Sequence, residues 1–177
     1  MKIKGKDLPT SFIRLWNKTM KKAFGEDKPL KYKDRSEFSK DLFFTIKDKD
    51  KIVSMGRLIP MKIEFDKKTY NILGLADIVS LIKKKGYGKM LLREMKKYSK
   101  DKTVIGFCDK VNEGFYKKSG FNIKRGISKR FVYTDSKGNI FKDQEGDSTV
   151  YIEGKNELIK KILSKPKLNI SIPIMPW

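Results

Sequence analysis

The sequence predicts an α/β domain built on a mixed, mostly antiparallel sheet flanked by helices. Three observations carry this. Residues 41–79 hold successive β-type runs separated by the polar turns Asp48-Lys49-Asp50 and Asp66-Lys67-Lys68, which reads as a meander. The last of these runs, 69–79, leads through the basic turn Lys83-Lys84-Lys85-Gly86-Tyr87-Gly88 into a helical run at 89–98. A further strand at 103–108 and a further helix at 112–119 follow, the order expected for one parallel crossover. A length of 177 residues fits a single domain, 1–177.

Taken in order, Phe12, Ile13, Leu15, Trp16, Met20 and Ala23 recur at helical spacing and predict an amphipathic helix over 10–24. Thr10 or Ser11 supplies its cap and Gly25 its stop. A loop with Pro29 precedes a short helical stretch near 36–40. Strands at 41–47 and 51–59 form a hairpin, Pro60 marks a bulge or bend, and 61–65 extends the second strand. Met90, Leu91, Leu92 and Met95 give the helix after the glycine turn its apolar face, and Gly120 fits the position just past the helix at 112–119. Strands near 123–124, 131–134 and 149–152 come next, with an acidic loop at 135–147 before the last of them. A short helix at 157–163 and an extended run at 168–174 complete the reading.

Composition excludes much chemistry. The chain has no histidine, so no Ser-His-Asp triad, Cys-His pair or histidine metal site exists, and no metal is expected. A general base must be a carboxylate, lysine, tyrosine, terminus or water. The single cysteine, Cys108, lies in an apolar strand, reads as a small buried hydrophobe and suits a reducing cytosol. No run of ~18 apolar residues predicts a membrane helix, and the basic N-terminus has no apolar segment of a secretory signal; a cytoplasmic protein is expected. The net charge of +21 points to anionic partners such as phosphates, nucleic acid or an acidic carrier protein. Only six of the 42 basic residues are arginine, and the lysines are spread evenly, which disfavours a nucleic-acid footprint.

Strand, basic glycine turn and helix together make a phosphate-binding arrangement. Glycine admits a close backbone approach, the first helical amides lack partners within the helix, and the helix dipole adds to the charge of the lysines. A Walker loop is excluded because Gly86-Tyr87-Gly88-Lys89-Met90 lacks its spacing and hydroxyl, and a dinucleotide fingerprint because Leu91 occupies the third glycine position. The plain alternative is a basic turn capping a solvated helix. A second segment, Val111-Asn112-Glu113-Gly114-Phe115-Tyr116-Lys117-Lys118-Ser119-Gly120-Phe121, follows one strand later and tips the balance.

These two segments resemble the GNAT superfamily of N-acetyltransferases. Gly86 and Gly88 match its [Arg/Gln]-x-x-Gly-x-[Gly/Ala] signature with Lys83 at the Arg/Gln position, and Asn112, Tyr116, Gly120 and Phe121 match a segment of its fourth helix. The resemblance implies a GNAT-like acyl-CoA N-acyltransferase fold and acetyl-CoA as cofactor. Ile78, Val79 and Ser80 at the strand end, Lys83, Lys84, Lys85, Gly86, Tyr87, Gly88 and Lys89 in the turn, and Asn112 would bind it. A backbone amide at Val79 or a neighbour would polarise the thioester carbonyl, and Tyr116 would protonate the departing thiolate. Asp77 is the candidate base, or else a surface residue at a sheet edge.

Looser matches resemble the aminoglycoside 2′-N-acetyltransferase branch: the opening Ala23-Phe24-Gly25-Glu26-Asp27 with 34–42, then Gly146-Asp147-Ser148-Thr149-Val150-Tyr151-Ile152, Leu168-Asn169-Ile170-Ser171, and Trp177. The branch implies a small-molecule amine acceptor, with Asp34, Asp147 and the Trp177 carboxylate as substrate-binding candidates. Gly74 stands where the branch tends to carry a glutamate. An antibiotic-resistance role is one expectation, and a basic GNAT-type toxin acting on charged tRNA is the alternative. A homodimer is left open, and no membrane partner is expected.

Overall fold

The helical periodicity of residues 10–24 becomes α1 (Thr10–Phe24), closed by Gly25 in the left-handed conformation at φ +68°. In this computed structural model residues 1–25, 29–134, 138–142 and 148–172 are described. They group into two units, Met1–Ile59 with Ala76–Met95, and Pro60–Leu75 with Lys96–Trp177.

In the first unit β1 (Lys2–Lys4) pairs antiparallel with β2 (Leu42–Asp48), and β2 with β3 (Lys51–Phe65), next to β4 (Lys68–Ser80). Two short 3-10 turns, Gly5–Asp7 and Tyr32–Asp34, and a one-turn helix α2 (Arg35–Phe38) link these strands. Register places Phe43 opposite Arg57 and Thr45 opposite Met55, so each pair shares a face. On that face Leu8, Phe12, Ile13, Trp16, Met20, Phe38, Phe43, Met55 and Val79 form the core under α1. Phe43 is its hub, with the Trp16 ring edge-on at 4.8 Å and those of Phe12 and Phe38 at 6.1 and 6.3 Å. The other face takes α3 (Tyr87–Tyr98): a Cβ at Gly56 would stand 2.5 Å from Ile78 Cδ1 and 3.3 Å from Leu91 Cδ2.

In the second unit β5 (Val104–Cys108) lies parallel to β4, and β9 (Ser148–Ile152) runs antiparallel between β5 and β6 (Asn122–Lys124). On the other side β10 (Ile170–Ile172) meets β3 antiparallel at Ser171 and Glu64 and lies parallel to β7 (Phe131–Thr134), which pairs with β8 (Ile140–Lys142). Two helices, α4 (Glu113–Lys118) and α5 (Leu158–Ser164), complete it. No helix among the described residues is long and apolar enough to cross a membrane.

Three expectations are corrected. The cap of α1 is Pro9 rather than Thr10 or Ser11, and its carbonyl accepts from the Phe12 and Ile13 amides at 3.0 and 3.1 Å. β10 beside β7 adds a second parallel pair to the one expected. β8 occupies part of the segment read as a loop.

A short link carries the α2–β2 connection. The Gly5 amide donates to the Asp41 carbonyl at 2.8 Å, and a Cβ at Gly5 would lie 1.7 Å from the Phe38 carbonyl oxygen. Gly5→Ala therefore forces backbone apart and should cost ~1–3 kcal/mol in urea unfolding, the usual range for overpacking. Gly114→Ala, in α4 with nothing within 4 Å of the new methyl, should be neutral or gain up to ~1 kcal/mol. Equal effects of the two substitutions would contradict this packing.

Candidate functional site

The glycine turn has the geometry of an anion cradle. Lys84 and Gly86 take φ of +60° and +78°, and α3 begins at Tyr87. The Met90 amide makes the first helical bond, to the Gly86 carbonyl at 3.0 Å, so the amides of Tyr87, Gly88 and Lys89 precede any intrahelical partner. Lys83, Lys84 and Lys85 are exposed, and the space beside Gly86 is open to 4 Å. Free amides, dipole and ammonium groups in one turn fit a pyrophosphate such as that of coenzyme A. The Tyr87 hydroxyl donates to Asp48 Oδ2 at 2.6 Å, which ties the turn to the β2–β3 hairpin.

The preceding strand end is fixed from β3. Ser54 Oγ donates to the Val79 carbonyl at 2.8 Å, and the Leu81 amide to the Val53 carbonyl at 2.9 Å. Ser80 Oγ donates to the Ile82 carbonyl at 3.0 Å. Ile78 points to the α3 face, while Val79 joins the core under α1.

Asp77 is not the exposed sheet-edge residue that was the alternative reading. Its side chain is 9% accessible, its φ is +56°, and it forms an ion pair with Arg57 Nε. Arg57 Nη1 also donates to Asp41 Oδ2 at 3.2 Å. Burial pushes both carboxyls up, that of Asp41 to about 6, and the shared guanidinium opposes the shift. Asp34 ends a 3-10 turn and makes no side-chain capping bond to α2.

In the second unit Tyr116 sits on α4 with its ring against Phe115 and Phe121, at 5.1 and 6.3 Å. Burial, with Cys108 adding to it, raises its phenol above the ordinary tyrosine range, so it stays protonated at neutral pH. Asn112 is exposed where a 3-10 turn (Lys110–Asn112) meets α4. Cys108 is buried, as expected. Asp147 and Trp177 lie outside the described residues.

Sequence reasoning missed two clusters. In the first, which joins Asp41 and Arg57 to Asp77, Arg57 had a signal: it is the one charged residue between Lys51 and Pro60, as Asp77 is between Lys68 and Ser80. Opposite lone charges in apolar strands of one meander invite pairing. The second cluster, Glu113 with Arg125 at 2.7 and 3.0 Å and Ser148 Oγ at 2.6 Å, joins distant positions and left no local trace. Arg125 and Ser148 hold the Glu113 carboxyl down to about 2. A carboxyl depressed below its ordinary 4.5 stabilises the fold fully above that value and loses the contribution as pH falls toward 2. The melting temperature of Glu113→Gln should therefore trail the native protein above about pH 5 and converge with it in acid; a gap that persists unchanged at low pH would count against this bond set.

The profile of the family described as "Acetyltransferase (GNAT) domain" matches residues 5–124. No curated protein matches the chain. Among solved structures the fold is similar to that of Escherichia coli ElaA, with TM-score 0.57, 11% identity, and 86% of this chain and 97% of that one covered. It is similar to an acyl-CoA N-acyltransferase from Pseudomonas aeruginosa, with TM-score 0.55, 11% identity, and 85% and 95% covered. A Bacteroides thetaiotaomicron protein assigned to the GNAT family gives TM-score 0.56 at 13% identity, with 93% and 95% covered. At such identity these likenesses speak for the fold, the acyl-CoA N-acyltransferase fold, while the family match speaks for the activity. The chain belongs to the GNAT acetyltransferase family and is an acyl-CoA-dependent N-acetyltransferase with acetyl-CoA as its donor.

Proposed function

We propose that the chain acetylates a primary amine of a small, cationic acceptor, with aminoglycosides and polyamines as the first classes to try. The observation that carries this is the pairing, within one unit, of the anion cradle at α3 with a buried carboxylate set that has one negative charge more than its single guanidinium. The first suits the phosphates of the donor, and the second suits an ammonium group.

In this reading Lys83, Lys84, Lys85, Gly86, Tyr87, Gly88 and Lys89 hold the pyrophosphate by backbone amides and charge, and Asn112 assists. Most of the rate comes from holding two reactants in line, worth up to ~7–11 kcal/mol. A backbone amide at Ile78, Val79 or Ser80 donates to the thioester oxygen as charge builds there, a contact worth ~2.7–4 kcal/mol in comparable sites. Asp77 takes the ammonium proton and frees the lone pair. Tyr116, kept protonated by burial, donates to the departing sulfur. Asp34, Asp147 and Trp177 are assigned to the acceptor side on the branch resemblance.

The direct test is an acetyl-transfer screen over aminoglycosides, polyamines and peptide amines, read by free thiol. Turnover is expected with at least one primary amine. Gly86→Glu and Gly88→Glu, which bring bulk and negative charge to the cradle, should weaken acetyl-CoA binding in calorimetry by tenfold or more, ~1.4 kcal/mol. Native protein with no affinity for acetyl-CoA and no turnover would end the proposal.

Tyr116→Phe should lower kcat and kcat/KM together while donor binding stays near native, because a proton given only to the leaving thiolate acts in the transition state alone. Pre-steady-state traces establish that chemistry limits turnover. Unchanged turnover under that condition would return Tyr116 to packing against Phe115 and Phe121.

A further inference from the structure

We propose that Asp41, Arg57 and Asp77 act as one proton-accepting unit, in which Asp41 and Arg57 are positioning residues that set the protonation of Asp77. The inference rests on the reading of Asp77 as the base and adds two residues that neither the motifs nor the family profile single out.

Geometry carries it. The three groups come from the link before β2, from β3 and from β4, and meet on the α1 face of the first unit. Their side chains are 8%, 20% and 9% accessible, so solvent screens the interactions weakly. One guanidinium is divided between two carboxylates, as Arg57 reaches Asp77 through Nε and Asp41 through Nη1. An undivided guanidinium would hold Asp77 strongly ionised and make it a poor base. Sharing weakens that hold, and the second buried negative charge raises the proton affinity of the pair. The charged groups acting on Asp41 are Arg57 and Asp77, and the one acting on Asp77 is Arg57. Burial is the main cause that lifts both carboxyls, Arg57 opposes it at each, and the charge of Asp77 adds to it at Asp41.

The step balances simply. One N–H bond of the acceptor ammonium breaks, its proton goes to an Asp77 carboxylate oxygen, and its electron pair stays on nitrogen for attack on the thioester carbon. The unit passes from net −1 to neutral, with Arg57 still paired to ionised Asp41. A plain strand-to-strand salt bridge would need none of this coupling, which makes the two roles separable by experiment.

The test follows the aspartate carboxyl carbons of the full chain by 13C NMR from about pH 3 to 9, a span that covers ordinary and raised carboxylates. In Asp41→Asn the Asp77 midpoint should fall by ~1 unit, because the guanidinium it shares with Asp41 becomes undivided. The acid limb of the kcat/KM profile, measured with an amine from the screen, should move down with it. In Arg57→Gln both midpoints should rise, and Arg57→Lys should recover part of that rise, so the coupling is read from two sides even where one variant folds poorly. An Asp77 midpoint that ignores both substitutions overturns the unit. Full turnover in Asp77→Asn, with the coupling intact, overturns instead the catalytic reading on which the inference rests.

Discussion

A guanidinium placed in the middle of an apolar strand constrains everything around it. Arg57 cannot be left unpaired there, since breaking a buried pair costs ~3–5 kcal/mol. Its partners must arrive from two other segments, and each is held by ordinary backbone chemistry. Asp41 is presented by the Gly5 amide on its carbonyl and by its own amide on the Phe38 carbonyl at 3.0 Å. Phe43, two residues on, lies opposite Arg57 and fills the space under α1 that the ion pair cannot. Asp77 reaches Arg57 from a left-handed residue within β4, a conformation that costs on the order of 1–3 kcal/mol in a non-glycine residue and persists where surrounding contacts over-determine it.

The same strands sort two kinds of chemistry onto two sides. The acids look toward α1, whereas the amides of the turn belong to α3, which packs on the opposite face through Leu91. Gly56 makes this close stacking practicable, because a side chain there would compete with Ile78 for the same volume. A cluster of lysines beside Asp41 and Asp77 would neutralise them and fix their protonation. Separation by a sheet keeps the exposed lysines of the turn on one face and the buried carboxylates on the other.

Local signals carried the parts of this structure that local physics determines. The α1 stripe and the Gly25 stop were legible because periodicity and left-handed glycine act within a few residues. The glycine turn into α3 was legible because glycines and lysines fall in seven consecutive positions between a strand and a helix. The rest depends on partners far away in sequence. β1 has three residues, two of them lysine, and is a strand only because Leu42 to Phe44 pair with it. β8 exists by pairing with β7, and the parallel contact of β10 with β7 spans nearly forty residues of chain, so neither has a signature of its own. Asp77 and Arg57 each stand as the lone charge of an apolar run, whereas Asp41 joins Arg57 only once the strands are in register.

A chain without histidine has a proton inventory with a gap in it. Ordinary carboxyls have largely finished titrating by about pH 5, and lysine side chains begin well above 7, leaving an interval that histidine usually fills and that only the α-amino group otherwise approaches. Asp41, lifted to about 6, stands in that interval. Proton uptake or release by this enzyme near neutrality therefore has few addresses. Calorimetry of ligand binding in buffers of different ionisation enthalpy would count those protons against a nearly silent background, a measurement that the imidazoles of most enzymes obscure.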